Sequence, residues 1–153
     1  MRILMICHGN ICRSPMAERL LRHLLEEAGL SDQVEVASAA VSFEELGNPI
    51  YPPARRMLEK HGLPSGGHHA HRVSPAEARS YDWILVMDGA NLAGMRSVIG
   101  SAPGPKPLLR RLLSFAGEDR DVADPWWTGD FETAWADIEK GCRAVLSALR
   151  RQL

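Results

Sequence analysis

No stretch of this chain approaches the roughly 20 consecutive apolar residues that a membrane-spanning helix needs. Its first apolar run, Ile3 to Ile6, is too short for the apolar region of a secretion signal and leads straight into polar residues. An excess of one charge is also lacking. With 18 basic and 19 acidic residues the net charge is -1, so neither nucleic acid nor an anionic membrane is an expected partner. Cysteine is scarce and odd in number. Cys7, Cys12 and Cys142 do not build a disulfide scaffold, and with no secretion signal they point to a reducing, cytoplasmic setting. Internal repeats and low-complexity tracts are absent.

What remains is an ordinary globular composition, 45% apolar and 24% charged over 153 residues. Residues 1–153 are expected to form a single domain, long enough to bury one core without staples. Strand and helix alternate along it. Residues 2–6 are short, apolar and turn-bounded, as in a buried strand. Ser14-Pro15 opens a helix, because serine can cap and proline tolerates the first helical position. Leu20, Leu21, Leu24 and Leu25 share one face of that helix, and Gly29 ends it. Residues 33–38 alternate as a second strand. Residues 42–53 are loop, and residues 53–61 a short helix stopped by Gly62. Residues 81–87 (YDWILVM) are the plainest strand, and residues 88–99 follow as helix. Proline and glycine punctuate residues 101–107, and residues 108–115 are either strand end or helix. Residues 131–149 form an amphipathic helix with Phe131, Trp135, Ile138, Cys142, Val145 and Leu149 at helical spacing. This alternation predicts an α/β fold, a parallel sheet with helices on both faces. Ligands of such sheets bind beyond the carboxyl ends of the strands.

One strand end carries an unusual string, CHGNICRS (residues 7–14). A seven-residue turn into a helix N-terminus lets successive backbone N–H groups converge on an anion. Gly9 and Asn10 tolerate the positive φ that such a nest needs. Arg13 adds a planar fork for two phosphate oxygens. Cys7 lies at the bottom of the same concavity, where converging dipoles and Arg13 favour its nucleophilic thiolate. Ser14 can donate its hydroxyl to that sulfur. The string is not a nucleotide P-loop, which needs a second glycine and a lysine before Ser/Thr. Nor is it a zinc site, because Cys7 and Cys12 have no second ligand pair at zinc spacing.

The run Cys7–Glu18 (CHGNICRSPMAE) resembles the signature loop of the low-molecular-weight protein tyrosine phosphatases. The resemblance continues through Ser38-Ala39-Ala40, Gly47-Asn48-Pro49, His61-Gly62, His68, Met87-Asp88, Asn91-Leu92 and Asp124-Pro125, and so covers nearly the whole chain. It implies a three-layer fold on a four-stranded parallel sheet. It implies hydrolysis of phosphotyrosine in proteins through a thiophosphate on Cys7, without metal or organic cofactor. By itself the aspartate before Pro125 reads as a turn residue. The resemblance makes Asp124 the general acid that protonates the leaving phenolate, with Trp126 and Trp127 as walls for the ring. The cradle is expected from His8, Gly9, Asn10, Ile11, Cys12, Arg13 and Ser14. Asn10, Ser38 and His68 are implied as braces behind it, and Phe43 matches a position that carries a rim aromatic. A tyrosine-phosphorylated protein is the implied substrate, a tyrosine kinase a candidate partner, and a monomer or weak dimer the implied assembly.

Under oxidant, Cys12 could close a short disulfide with Cys7; the alternative is a buried thiol. His68, His69 and His71 cluster, but no cysteine or carboxylate completes a metal spacing, so no metal is expected. The chain also departs from the family. Trp126-Trp127 replaces two tyrosines common in relatives, Val41 stands where threonine is common, and His71 where arginine is. Two related activities compete. Thioredoxin-coupled arsenate reductases need further cysteines after the third strand, and residues 88–107 contain none. Protein arginine phosphatases carry threonine where Ile11 stands, and an isoleucine favours a flat aromatic leaving group.

Overall fold

A computed structural model describes residues 1–100 and 104–153; part of the proline- and glycine-punctuated stretch 101–107 thus lies outside the described residues. Four strands, β1 (Arg2–Cys7), β2 (Glu35–Ala40), β3 (Trp83–Val86) and β4 (Leu108–Arg111), form one sheet of order β2-β1-β3-β4. Every pairing is parallel. β1 is central, and its residues Ile3 to Ile6 are fully buried, as a strand covered on both faces must be.

Among the described residues there are six helices: α1 (Arg13–Glu27), α2 (Pro52–Lys60), α3 (Pro75–Arg79), α4 (Gly89–Ile99), α5 (Pro125–Thr128) and α6 (Phe131–Gln152). Side chains alternate between the faces of β1. Ile3, Met5 and Cys7 join a core with Leu21 of α1, Leu58 of α2 and Ile138 of α6. Leu4 and Ile6 join a second core with Ala78 of α3 and Met95 and Ile99 of α4. The architecture is therefore the expected three-layer α/β fold on four parallel strands. No helix among the described residues is long and apolar enough to cross a membrane.

Residues 108–115 turn out to be both of the structures the sequence left open. β4 runs to Arg111, and a 3₁₀ turn follows over Leu112–Ala116. That turn presses on α6 at Gly141, where a Cβ would come within 2.5 Å of Leu112 Cγ. Two short helices escaped the sequence reading. Both begin with a capping residue before proline: Ser74 accepts from the Glu77 N–H at 3.0 Å, and Asp124 from the Trp126 N–H at 3.1 Å. Such caps open helical runs too short to show a period.

Candidate active site

The carboxyl end of β1 delivers Cys7 to the floor of a cavity of about 500 Å³, between strand and α1. His8, Gly9, Ile11, Cys12 and Arg13 form its near wall; Asp124, Trp126 and Trp127 stand opposite. Arg13, at the start of α1, is 2% exposed. Its Nη1 donates to Asp88 Oδ2 and the Val122 carbonyl, both at 2.8 Å, and its Nη2 to Asp124 Oδ2 at 3.3 Å. Burial alone would push the guanidinium pKa down. The facing Cys7, Asp124 and Asp88 outweigh that and raise it, so the fork stays charged. Asp88 is itself fixed as the cap of α4, accepting from the Asn91 N–H at 2.8 Å.

The loop reverses through Asn10, the one non-glycine with positive φ among the described residues, at 61°. Its N–H donates to Cys7 Sγ at 3.3 Å. Its amide nitrogen donates to Ser14 Oγ and to Ser38 Oγ, each at 2.9 Å. Ser14 lies 3.0 Å from Cys7 Sγ. Having accepted from Asn10, the Ser14 hydroxyl keeps its proton for the sulfur. Ser38 donates onward to Glu18 Oε1 at 2.5 Å. On the other side His68 Nε2 meets the Asn10 carbonyl at 2.6 Å. A carbonyl only accepts, so Nε2 carries the hydrogen. Burial lowers the His68 pKa, against the bond to Asn10 and the charge of Glu18.

Asn10 and Ser14 thus stand behind the cradle with Ser38 and His68, fully or nearly fully buried, rather than in the cavity wall. Phe43 lies outside the lining; its ring is 61% exposed and covered by the Arg72 guanidinium at 3.9 Å. The next two residues, Glu44 and Glu45, occupy the rim instead. The loop is pinned by Ser42, whose N–H and hydroxyl both reach the His8 carbonyl, and this turns Phe43 outward. Trp126 leans on Tyr51 with ring centroids 4.8 Å apart, and Trp127 is 82% exposed. Cys12 is a buried thiol whose pKa is pushed up by burial and by the charges of Cys7 and Asp124; all three cysteines are free. The histidines point apart. His68 holds Asn10, His71 bonds Glu77 at 2.8 Å, and His69 is exposed. No metal-binding group of three or more His, Cys, Asp or Glu gathers among the described residues.

Sequence reasoning did not single out Asp88, Glu18, Glu44 or Glu45. Two of them carried a signal. Asp88 follows a strand and precedes a helical run, the place of a cap. Glu18 occupies a core position of α1, between Ser14 and Leu21 on the buried face. A carboxylate there needs partners.

The family model for low molecular weight phosphotyrosine protein phosphatase matches residues 2–153. The chain is 34% identical over 153 residues to the low molecular weight protein-tyrosine-phosphatase YfkJ of Bacillus subtilis, covering 98% of this chain and 96% of that one. It is 33% identical over 147 residues to the human low molecular weight phosphotyrosine protein phosphatase, covering 94% and 92%. The crystal structure of YfkJ superposes with a TM-score of 0.93 over 99% of this chain and 96% of that one. That of a Drosophila arginine phosphatase does so with 0.90 at 28% identity, over 97% and 98%. The chain belongs to the low molecular weight phosphotyrosine protein phosphatase family. It is a hydrolase of phosphate monoesters.

Proposed function

We propose that this enzyme hydrolyses phosphotyrosine in proteins through a thiophosphate on Cys7, with Asp124 as general acid and then general base. The observation that carries the reading is the buried Arg13 fork. It lines the same cavity as Cys7 and is bonded to Asp124 at 3.3 Å. An incoming phosphate dianion displaces the Asp124 carboxylate from Nη2, and the carboxylate takes up a proton from solvent beside the scissile bond. Cys7 Sγ attacks phosphorus in line. Arg13 and the loop N–H groups hold the equatorial oxygens, where transition-state charge spreads. Asp124 gives its proton to the phenolate, then takes one from the water that cleaves the S–P bond. Each step is met by side chains already in place, so none calls for a metal. The substrate is a tyrosine-phosphorylated protein, made by a tyrosine kinase. The thiol chemistry suits the cytoplasm, and the assembly is a monomer or weak dimer.

Phosphoarginine is the second reading, supported by the likeness to the Drosophila arginine phosphatase. Ile11, 7% exposed in the cavity wall, weighs against it, as an apolar neighbour suits an aromatic ring better than a guanidine. The test is kcat/KM on phosphotyrosine, phosphoserine and phosphoarginine peptides, with and without chelator, in the wild type and Cys7→Ser. Tyrosine preference, indifference to chelator and an inert variant are expected. A better phosphoarginine rate overturns the substrate, and substantial turnover by Cys7→Ser overturns the nucleophile.

A further inference from the structure

Directly behind the cradle, α1 presents two adjacent charged residues. Glu18 is 5% exposed and the Arg19 side chain 10% exposed. They face each other, Arg19 Nε lying 3.4 Å from Glu18 Oε2. Glu18 takes the hydroxyl of Ser38 at 2.5 Å and is also bonded to Arg22 at 2.7 Å. Arg19 reaches the other way. Its Nη1 donates to the Pro64 carbonyl at 3.2 Å and its Nη2 to the Gly66 carbonyl at 2.9 Å. Residues 63–70 between α2 and α3 have no helix or strand to hold them; backbone bonds tie Leu63 and Ala70 at the two ends, and between those ends the Arg19 bonds to the Pro64 and Gly66 carbonyls hold the path. Two residues beyond Gly66, His68 donates to the Asn10 carbonyl.

The two neighbours therefore grip one residue from opposite directions. Glu18 holds the Asn10 side chain through Ser38, and Arg19 holds the Asn10 carbonyl through the segment that carries His68. Asn10 gains from such a grip, because even asparagine, which tolerates positive φ better than most residues with a Cβ, favours it less than the ordinary backbone regions. In that conformation the Asn10 N–H reaches Cys7 Sγ at 3.3 Å. We propose that Arg19 is a positioning residue for the phosphate cradle. By locking residues 64–66 onto α1 it seats His68, and His68 keeps Asn10 in the conformation that binds the phosphoryl group. This rests on residues 7–13 being the phosphate site.

The decisive variant is Arg19→Lys. It keeps the positive charge, so an altered response cannot come from the loss of a cation near His68 or phosphate. A lysine cannot span two carbonyls and Glu18 as the fork does. Arg19→Met removes charge and fork together and should act more strongly. Three quantities are read on folded protein: the inhibition constant of inorganic phosphate, kcat/KM for phosphotyrosine peptide, and the pH titration of the His68 ring by NMR. In Arg19→Lys the phosphate constant should rise about tenfold, the order expected for a lost buried bond. kcat/KM should fall in step. His68 should titrate nearer the ordinary histidine value of about 6.5 as its segment loosens and rehydrates. If Arg19→Met does not fold, Arg19→Lys decides alone. Wild-type phosphate affinity with unchanged His68 titration in Arg19→Lys overturns the proposal, whatever the melting temperature does. Failure of the wild type to bind phosphate would instead overturn the reading of the site itself.

Discussion

The cradle and the rim of the cavity are built on opposite terms. In the cradle Cys7 and Arg13, and directly behind it Asn10 and Ser14, are 3% exposed or less, and each is held by several bonds to fixed partners. At the rim the side chains of His8 and Glu44 are 52% and 67% exposed, paired with each other at 2.8 Å and open to water. Buried networks are unforgiving, since a lost partner leaves a desolvated group behind. Exposed pairs are weak and screened. On the proposed reading, reaction chemistry is fixed by the cradle, while the identity of the flanking residues is left to a rim that can change at little cost.

The largest effect should come from Asp124, which belongs to both regions. Asp124→Asn keeps the size and the bond to Arg13 but delivers no proton. kcat/KM for phosphotyrosine should fall by about 10²–10⁴, and the loss should shrink as the leaving group becomes more acidic. The comparison is read on kcat/KM because that constant covers events only up to cysteine phosphorylation. A uniform loss across a leaving-group series would mean that Asp124 holds the α5 turn rather than the proton. Next is Arg13→Lys. A point charge cannot serve Asp88, Val122 and phosphate with one fork geometry. A loss of roughly 10²–10³ in kcat is expected, and a variant within threefold of wild type would show that the cradle tolerates a mismatch after all.

Most of the sheet was legible because buried parallel strands are apolar runs. β1 and β3 stand out for that reason, and α6 because its 22 residues carry a long apolar stripe. β2 began two residues later than its alternation implied, since Val34 is buried as readily before the strand as within it. The cradle was legible because Cys7, Asn10 and Arg13 are sequence neighbours. Its supports were less so. Arg13 meets Asp88 and Val122 across 75 and 109 residues, and no local pattern reports such pairs. Phe43 was expected on the rim from the resemblance, yet loop geometry gave the rim to Glu44 and Glu45.

A smaller effect concerns pH and the brace behind the cradle. Burial holds the folded pKa of His68 below its ordinary value. The neutral ring is therefore favoured in the folded state and costs nothing above the unfolded value near ~6.5. As pH falls below that value the unfolded chain binds a proton that the folded chain resists, and stability is lost until the lower folded pKa is passed. Urea midpoints should thus decline between pH 7 and pH 5. His68→Gln, which can still donate to the Asn10 carbonyl, should flatten part of that slope. Equal slopes in the two proteins would mean that other groups cause the acid sensitivity.

The smallest effect should come from the rim, and it bears most directly on the contrast. Glu45 packs over Gly9, where a Cβ would approach its Cγ to 3.2 Å, and among the described residues its carboxylate takes only the Asn48 amide. The Glu44 carboxylate pairs with His8, again with no other side-chain partner among the described residues. Both carboxylates face whatever flanks the phosphorylated residue, so the rim should favour peptides with lysine or arginine there over those with glutamate. Glu44→Gln and Glu45→Gln should each narrow that preference by less than about tenfold, mostly through association. The difference should fade toward 1 M salt, where the screening length is about 3 Å. Turnover of a small aryl phosphate, which has no flanking residues, should keep its kcat in both variants. A fall in that kcat would place Glu44 or Glu45 in the chemistry, and the division between a fixed cradle and an adjustable rim would fail at that residue.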